Sequence, residues 1–431
     1  VLALKKETLK TLLPGGHFGL EKEMLRVTED GHMAHTPDPF LGHPNITKDF
    51  CENQTEINTP VGDSPEEAYG MLRDLYVEIQ KTLAASSPRE YLWPSSNPPY
   101  IANEEDIPIA QFPGESYHKT AYREYLSGRY GRYIMTYSGI HFNYSFSEEL
   151  LKADYEAHQR AYEVGTFRDY KDGFYLDLAK KAAAYGWLMT AVTAASPVRD
   201  RSFLEPGTSG GSTFTGKASQ RCAETGYWNA FTPVFNYKSL DGYIEGIEYL
   251  VSRGLIAAPS ELYFPVRLKP KGANTLENLR KYGASHIELR MFDLNPLDPL
   301  GVDLRDIRFG ELFLGFLAGT QDFYFPEQDQ VQAVQNFKRA AYYNLENTKI
   351  IILGGRSSTV AEAGRIMLHQ MKEFYHGFPD EVQEILAFEE AKFLDPANRY
   401  ATKVRALAGD HFADWALQLA KEQQALALAD D

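Results

Sequence analysis

Apolar and polar residues alternate one by one along several short stretches, the pattern of strands with one buried and one open face. In the stretch Gly19-Leu20-Glu21-Lys22-Glu23-Met24-Leu25-Arg26, alternation sets Glu21 and Glu23 on one face, about 7 Å apart at strand rise. Over residues 139–146, Phe142, Tyr144 and Phe146 share one face while His141, Asn143 and Ser145 share the other. Over 286–291, His286, Glu288 and Arg290 oppose Ile287, Leu289 and Met291. The second half of 47–60 reads as a strand with Glu56 on its polar face, and 261–267 as a further strand. Asp30-Gly31 marks a hairpin turn after the first strand, with an antiparallel partner expected within a few residues.

Helical spacing appears elsewhere. Ser64-Pro65-Glu66-Glu67 opens a helix with a cap, a proline in the first turn and a glutamate at the capping-box position, and Leu72, Leu75, Tyr76, Ile79 and Leu83 form its apolar face. Short or long helices are also expected over 7–13, 117–129 and 241–251, and two long ones over 148–193. Prolines stiffen a loop at 92–99, and glycines loosen another at 205–213. From about residue 300 the pattern is mostly helical, broken at Gly354-Gly355-Arg356. No repeat or low-complexity tract is present.

Composition narrows the function classes. At 431 residues the chain exceeds a single simple core, so one large elaborated domain or two sharing an interface is expected. Hydrophobic residues at 43% and charged residues at 24% exclude wholesale disorder. The formal charge of -15 argues against general nucleic-acid binding, although local arginines can still make a pocket for an anionic substrate. Cys51 and Cys222 alone cannot make a disulfide scaffold. The N-terminal residues are too charged for a secretory signal, and the most apolar run, near 182–195, is too short to span a bilayer; a soluble cytoplasmic protein without membrane partners is expected.

The candidate chemistry lies on the polar strand faces. Glu21 and Glu23 are either a solvated pair or, in a cleft, ligands of a divalent cation. Adding Asp49, Glu56, His141, and Glu288 beside Arg290 points to a funnel for divalent metal. Two other motifs fall short. The segment 211–218, GSTFTGKA, carries Ala218 where a phosphate-binding loop needs a serine or threonine, and reads as a mobile loop. No zinc-hydrolase motif accompanies His32 and His35.

The motifs FGLEKEMLRV (18–27), TKDFCENQTEINTP (47–60), LWPSSNPPYI (92–101), YREYL (122–126), SGIHFNYSF (138–146), RCAETGY (221–227), ELYFPVR (261–267) and HIELRMFDLNPLDPLGV (286–302) occur in this order. Together they resemble the bacterial type of glutamate-cysteine ligase, with a fainter echo at 307–313 and little likeness in the last hundred or so residues. The resemblance implies an α+β fold, a glutamine-synthetase-like curved antiparallel sheet forming a funnel backed by helices, in a single catalytic domain over 1–431 whose part beyond about 300 is mostly helical. It implies ATP-driven joining of the glutamate γ-carboxylate to the cysteine amine through an acyl phosphate, the first step of glutathione synthesis. Glu21, Glu23, Asp49, Glu56, His141 and Glu288 would hold roughly two or three magnesium ions, with manganese as a substitute. Arg290 would act on the γ-phosphate of ATP; Arg221, Tyr227 and Tyr263 would grip a substrate carboxylate; Phe50, Tyr122 and Leu126 would form the acceptor pocket. Met135 stands where enteric-type relatives place a glutamine, which leaves another small amine open as acceptor. An inactive homologue serving as a binding subunit is the alternative of another class. No fused glycine-adding half is expected.

Overall fold

The alternating stretches pair into one antiparallel sheet, in a computed structural model that describes residues 2–161 and 165–429. A short helix α1 (Lys6–Leu12) leads into the longest strand, β1 (Gly16–Val27), followed by β2 (Ile46–Lys48) and β3 (Gln54–Asn58). Helix α2 (Pro65–Ala85) and strand β4 (Tyr91–Leu92) precede α3 (Tyr117–Tyr130) and β5 (Gly139–Phe146). Helices α4 (Glu148–Ala161), α5 (Phe167–Tyr185) and α6 (Trp187–Thr193) lead to a ribbon of β6 (Val198–Asp200) and β7 (Ser212–Phe214). Next come α7 (Leu240–Ser252), β8 (Val266–Pro270), α8 (Leu276–Tyr282) and β9 (Ala284–Asp293). The remainder is α9 (Leu304–Gly319), α10 (Glu327–Ala340), the hairpin β10 (Lys349–Ile352) and β11 (Arg356–Thr359), α11 (Val360–Phe374), α12 (Asp380–Leu394), α13 (Tyr400–Ala408) and α14 (Phe412–Ala429).

The sheet runs β2-β3-β1-β5-β9-β8, with β4 added at the far end of β1. It is open and curved, and register shifts between Ile140 and Phe142 and beside Lys269 and Pro270 bend it locally. Its convex face is covered by α2, α5, α6 and α9. The aromatics of β5 supply much of that contact: Phe142 stacks on Phe292 at 5.8 Å, and Phe18 meets Tyr144 at 5.1 Å. Lys22 also points this way, with Nζ 4.4 Å from the Tyr76 ring centroid, and burial pushes its amine down to about 7.

Several expectations need correction. The strand expected at 261–267 forms only from Val266, because Pro259–Glu261 makes a single 3-10 turn and Glu261 is wholly buried. The stretch 148–193 holds three helices, since α5 restarts at a Thr166 capping box and gives way to α6 at Gly186; residues 162–164 lie outside the described residues. The Asp30-Gly31 turn forms, with Gly31 at φ 83°, but its partner is one bridge between Val27 and Met33 rather than a strand. The stretch 211–218, expected to be a mobile loop, holds β7, and its Lys217 is bound to Glu224 and lies over the Tyr342 ring. The break at Gly354 and Gly355 is a hairpin turn, both glycines having positive φ. The α2 start differs in detail: Ser64 accepts from the Glu67 N–H, while the Glu67 carboxylate reaches the Asp63 N–H instead of closing the box.

Candidate active site

Strand register brings the polar faces together. Glu23 lies opposite Glu56 across β1 and β3, Glu21 opposite His141 across β1 and β5, and Asn143 opposite Glu288 across β5 and β9. The turn after β2 adds Asp49 and Phe50. On the concave side these residues border a cavity of about 470 Å³, whose wall includes Glu21, Glu23, Asp49, Glu56, His141 and Arg290. Phe50, Tyr122, Leu126, Arg221, Tyr227 and Tyr263 line it too. Glu288, fully buried, sits directly beneath through its contacts with His141 and Arg290. Met135 does not reach the wall: it is buried in the apolar cluster that holds Phe50, Leu126 and Tyr263. A wider depression of about 1100 Å³ beside α5 and residues 322–327 shares none of these residues.

The charges are arranged unevenly. His141 Nδ1 is 2.8 Å from Glu21 Oε2 and 3.5 Å from Glu288 Oε1, and its Nε2 is 3.7 Å from Glu23 Oε1. Burial and Arg290 lower the His141 pKa. A neutral ring that donates from Nδ1 to Glu21 keeps a lone pair on Nε2. Burial and Glu288 push Glu21 up, but the hydrogen bond with His141, aided by Lys269, brings it below its usual range. Burial opposes ionisation of Glu288 too, and is overcome by Arg290 at 3.1 Å and Lys269 at 3.2 Å, which hold it well below the carboxylate range.

At the other end of the row compensation falls short: Arg221 and Arg290 act on Glu23 but do not offset its burial. Burial and then the Asp49 charge push Glu23 up to about 8, even though it accepts from the Gly139 N–H at 3.0 Å. Burial, followed by the charges of Asp49, Glu21 and Glu23, drives Glu56 well above its ordinary value. Carboxylates crowded in this way call for a proton or a hard cation. The donor set fits a divalent cation: ligand atoms of Glu21, His141 and Glu288 lie within 4.8 Å of one another, and Glu288 Oε2 is buried with no hydrogen-bond partner among the described residues.

The opposite wall is cationic. Arg290 occurs where β9 carries an extra residue against β5, a bulge that re-aims its side chain, and its N–H bonds the Pro265 carbonyl. Arg221 donates to the carbonyls of Phe292 at 3.3 Å and Arg290 at 2.7 Å. This is possible because Gly139 faces it: a Cβ there would lie 2.4 Å from Arg221 Cζ. Tyr227 and Tyr263 pack with ring centroids 4.2 Å apart beside it.

Sequence reasoning missed Arg267 and Lys269. Both project from β8 toward the carboxylates: Arg267 lies opposite Glu288, and Lys269 also approaches Glu21 at 3.9 Å. Extending the alternation Val266-Arg267-Leu268-Lys269 by two residues would have found them. Arg123 was passed over as well; it borders the cavity and donates to the Asp49 and Lys48 carbonyls, steadying the turn that presents Asp49. Glu52, by contrast, is spent on Lys48 and on the N–H groups of Asp38 and Gln111.

A profile of the family described as glutamate-cysteine ligase matches residues 1–255 and 251–340. A glutathione biosynthesis bifunctional protein of Listeria welshimeri is 35% identical over 446 residues, covering 98% of this chain and 56% of its own length. The chain thus spans little more than half of that relative. A glutamate–cysteine ligase of Clostridium acetobutylicum is 31% identical over 383 residues, with 78% of each chain covered. Among solved structures, a bifunctional glutathione synthetase from Pasteurella multocida matches with a TM-score of 0.83 at 28% identity, over 98% of this chain and 54% of that one. A glutamate–cysteine ligase from Francisella tularensis in complex with AMP matches with a TM-score of 0.84 over 96% of this chain and 89% of that one; at 22% identity this is a likeness of fold.

Proposed function

The chain belongs to the glutamate-cysteine ligase family, and from that premise we propose that it joins the γ-carboxylate of L-glutamate to the amine of L-cysteine, driven by cleavage of ATP to ADP and phosphate. The observation that carries this reading is the meeting of Glu21, Glu23, Asp49, Glu56, His141 and Glu288 around one cavity that Arg221 and Arg290 also enter. Such a site suits phosphoryl transfer between anions, where positioning and charge stabilisation replace a protein nucleophile. Magnesium held by the six ligand side chains would supply neutralisation of the nucleotide phosphates.

The residues then divide the work. A glutamate γ-carboxylate oxygen attacks the γ-phosphorus as the bond to the ADP oxygen breaks. Arg290, tied to Glu288 on one side and open to the cavity on the other, meets the charge on the moving phosphoryl group. Arg221 offers the remaining edge of its guanidinium to the substrate carboxylate, a geometry suited to paired hydrogen bonds. The acceptor nitrogen next attacks the acyl carbon, the bond to the phosphate oxygen breaks, and the departing phosphate takes up the proton that the amine gives up. Phe50, Tyr122 and Leu126 form the apolar side of the cavity, where they shield the acyl phosphate from water. In this reading all partners are small molecules. Met135 packs behind this apolar side in one cluster with Phe50, Leu126 and Tyr263, so the panel of amines below decides the acceptor.

The test is ADP release with ATP, magnesium, L-glutamate and a panel of amines. Release should require glutamate and magnesium and be fastest with L-cysteine. Release indifferent to glutamate would sink the reading, and turnover with another amine but not cysteine would replace the acceptor.

A further inference from the structure

Helix α3 carries Tyr122, Arg123 and Leu126 over the cavity; Thr120 and Arg123 tie one side of it to residues 110–112 and to the turn after β2. Thr120 and Leu126 are its only buried residues, and a positive-φ glycine stands at each end, Gly114 at 63° and Gly131 at 74°. Its other seat is the short segment between α7 and β8. Ser260 Oγ donates to Tyr122 Oη at 3.1 Å. One residue further, the Glu261 carboxylate is wholly buried and gathers the end of the helix: Arg129 Nε lies 3.0 Å from Oε1, and Tyr130 Oη donates to the same oxygen at 2.7 Å. Its Oε2 accepts from the Ala257 N–H at 2.6 Å.

The same residue reaches the opposite wall of the cavity. Asn229 Nδ2 donates to the Glu261 carbonyl at 2.9 Å and to Tyr130 Oη at 3.2 Å, while Asn229 Oδ1 accepts from the Tyr263 N–H at 2.8 Å. The Tyr263 ring packs on Tyr130 at 5.5 Å and on Tyr227 at 4.2 Å. Tyr122, Leu126 and Tyr130 recur at helical spacing along one side of α3, so fixing the last turn fixes the rotation that presents the first two. A carboxylate that is fully buried and bonded to a guanidinium and a phenol is costly to leave unpaired, which makes the joint rigid.

We infer that Glu261 is a positioning residue that sets α3 against the Tyr227–Tyr263 wall, and so determines how tightly the amine acceptor is bound. The inference rests on the function proposed above. It assigns to Glu261 no contact with either glutamate or ATP; its effect passes through Tyr122 and Leu126 on one side and Tyr263 on the other.

The test uses the full chain and compares Glu261→Gln with the milder Tyr130→Phe, which removes one hydroxyl and leaves packing in place. In steady-state ADP release, Tyr130→Phe should raise the acceptor KM about tenfold while the KM values for glutamate and ATP stay within about twofold, the pattern of a lost positioning contact. The double variant should be no worse than Glu261→Gln alone, because both break one joint. All three KM values rising together, or a fall in melting temperature with unchanged KM, would overturn the inference. Should the unaltered protein release no ADP with any amine, the functional reading fails by itself. Amide exchange then decides the positioning claim: Tyr130→Phe must speed exchange across 117–130 selectively, and an unchanged pattern there refutes it.

Discussion

Glu23 and Glu56 face each other across neighbouring strands with Asp49 close by, an arrangement that costs stability unless something positive joins it. Replacing Glu56 with glutamine should therefore stabilise the metal-free protein, raising its melting temperature by roughly 1–3 °C, while abolishing most of the further rise that magnesium gives the unaltered chain. A calorimetric scan with and without magnesium reads both. At the far end of the row Arg290 is set apart from a surface ion pair by its buried partner Glu288 and its place in a bulge. Arg290→Ala should slow glutamate-dependent ADP release by roughly 10³-fold, and lysine should restore only part of it, since a point charge lacks the planar fork. That Glu23, Glu56, Glu288 and Arg290 stand on polar strand faces was legible from alternation, because a period of two reports which side chains share a face; Asp49 lies in a turn, and the roles came from the family resemblance. Their shared destination was not. The pairing of Glu23 with Glu56 depends on strand register between segments thirty residues apart, which no local pattern encodes.

At the scale of elements, the strands with one open and one buried face were readable, whereas short or twice-interrupted ones were not. β8 begins only after Pro265, and its polar face continues past Arg267 to Lys269; a motif boundary hid that continuation. Helix α2 was legible from its cap at Ser64, whose oxygen takes the Glu67 N–H, whereas the Thr166 capping box that divides 148–193 went unread. Ser64→Ala should cost about 1 kcal/mol in denaturant unfolding and leave activity intact. Gly139 makes the stronger case that an element end positions chemistry. Its lack of a side chain admits the Arg221 guanidinium, and its N–H binds Glu23. Gly139→Ala should raise the KM of the substrate whose carboxylate Arg221 holds by about tenfold or more with little change in far-UV circular dichroism. A loss of fold instead would mean that the glycine serves the strand and not the arginine.

Across the whole molecule, the helical half behind the sheet carries its own buried charges. Lys392 bonds Asp306 and Glu389 and donates to the Val192 carbonyl at the end of α6. Lys392→Met would leave two core carboxylates without a cation and should cost about 3–5 kcal/mol. Glu311, which accepts from the Gly15 N–H at the foot of β1, is pushed by burial up to about 7. Its folded value lies above the unfolded 4.5, so its contribution is complete below that pH and is lost as pH rises through about 7. Glu311→Gln should flatten the decline in unfolding free energy between those pH values, and an unaltered decline would remove Glu311 as its source. β1 joins this half to the cavity, with Glu21 and Glu23 on the concave side and Lys22 over Tyr76 on the other. Such a strand can be re-lettered but not re-phased: inserting or deleting one residue would turn an amine toward the substrates and send acids into oil in the same stroke. Variation along it should therefore come as substitutions, with length kept constant.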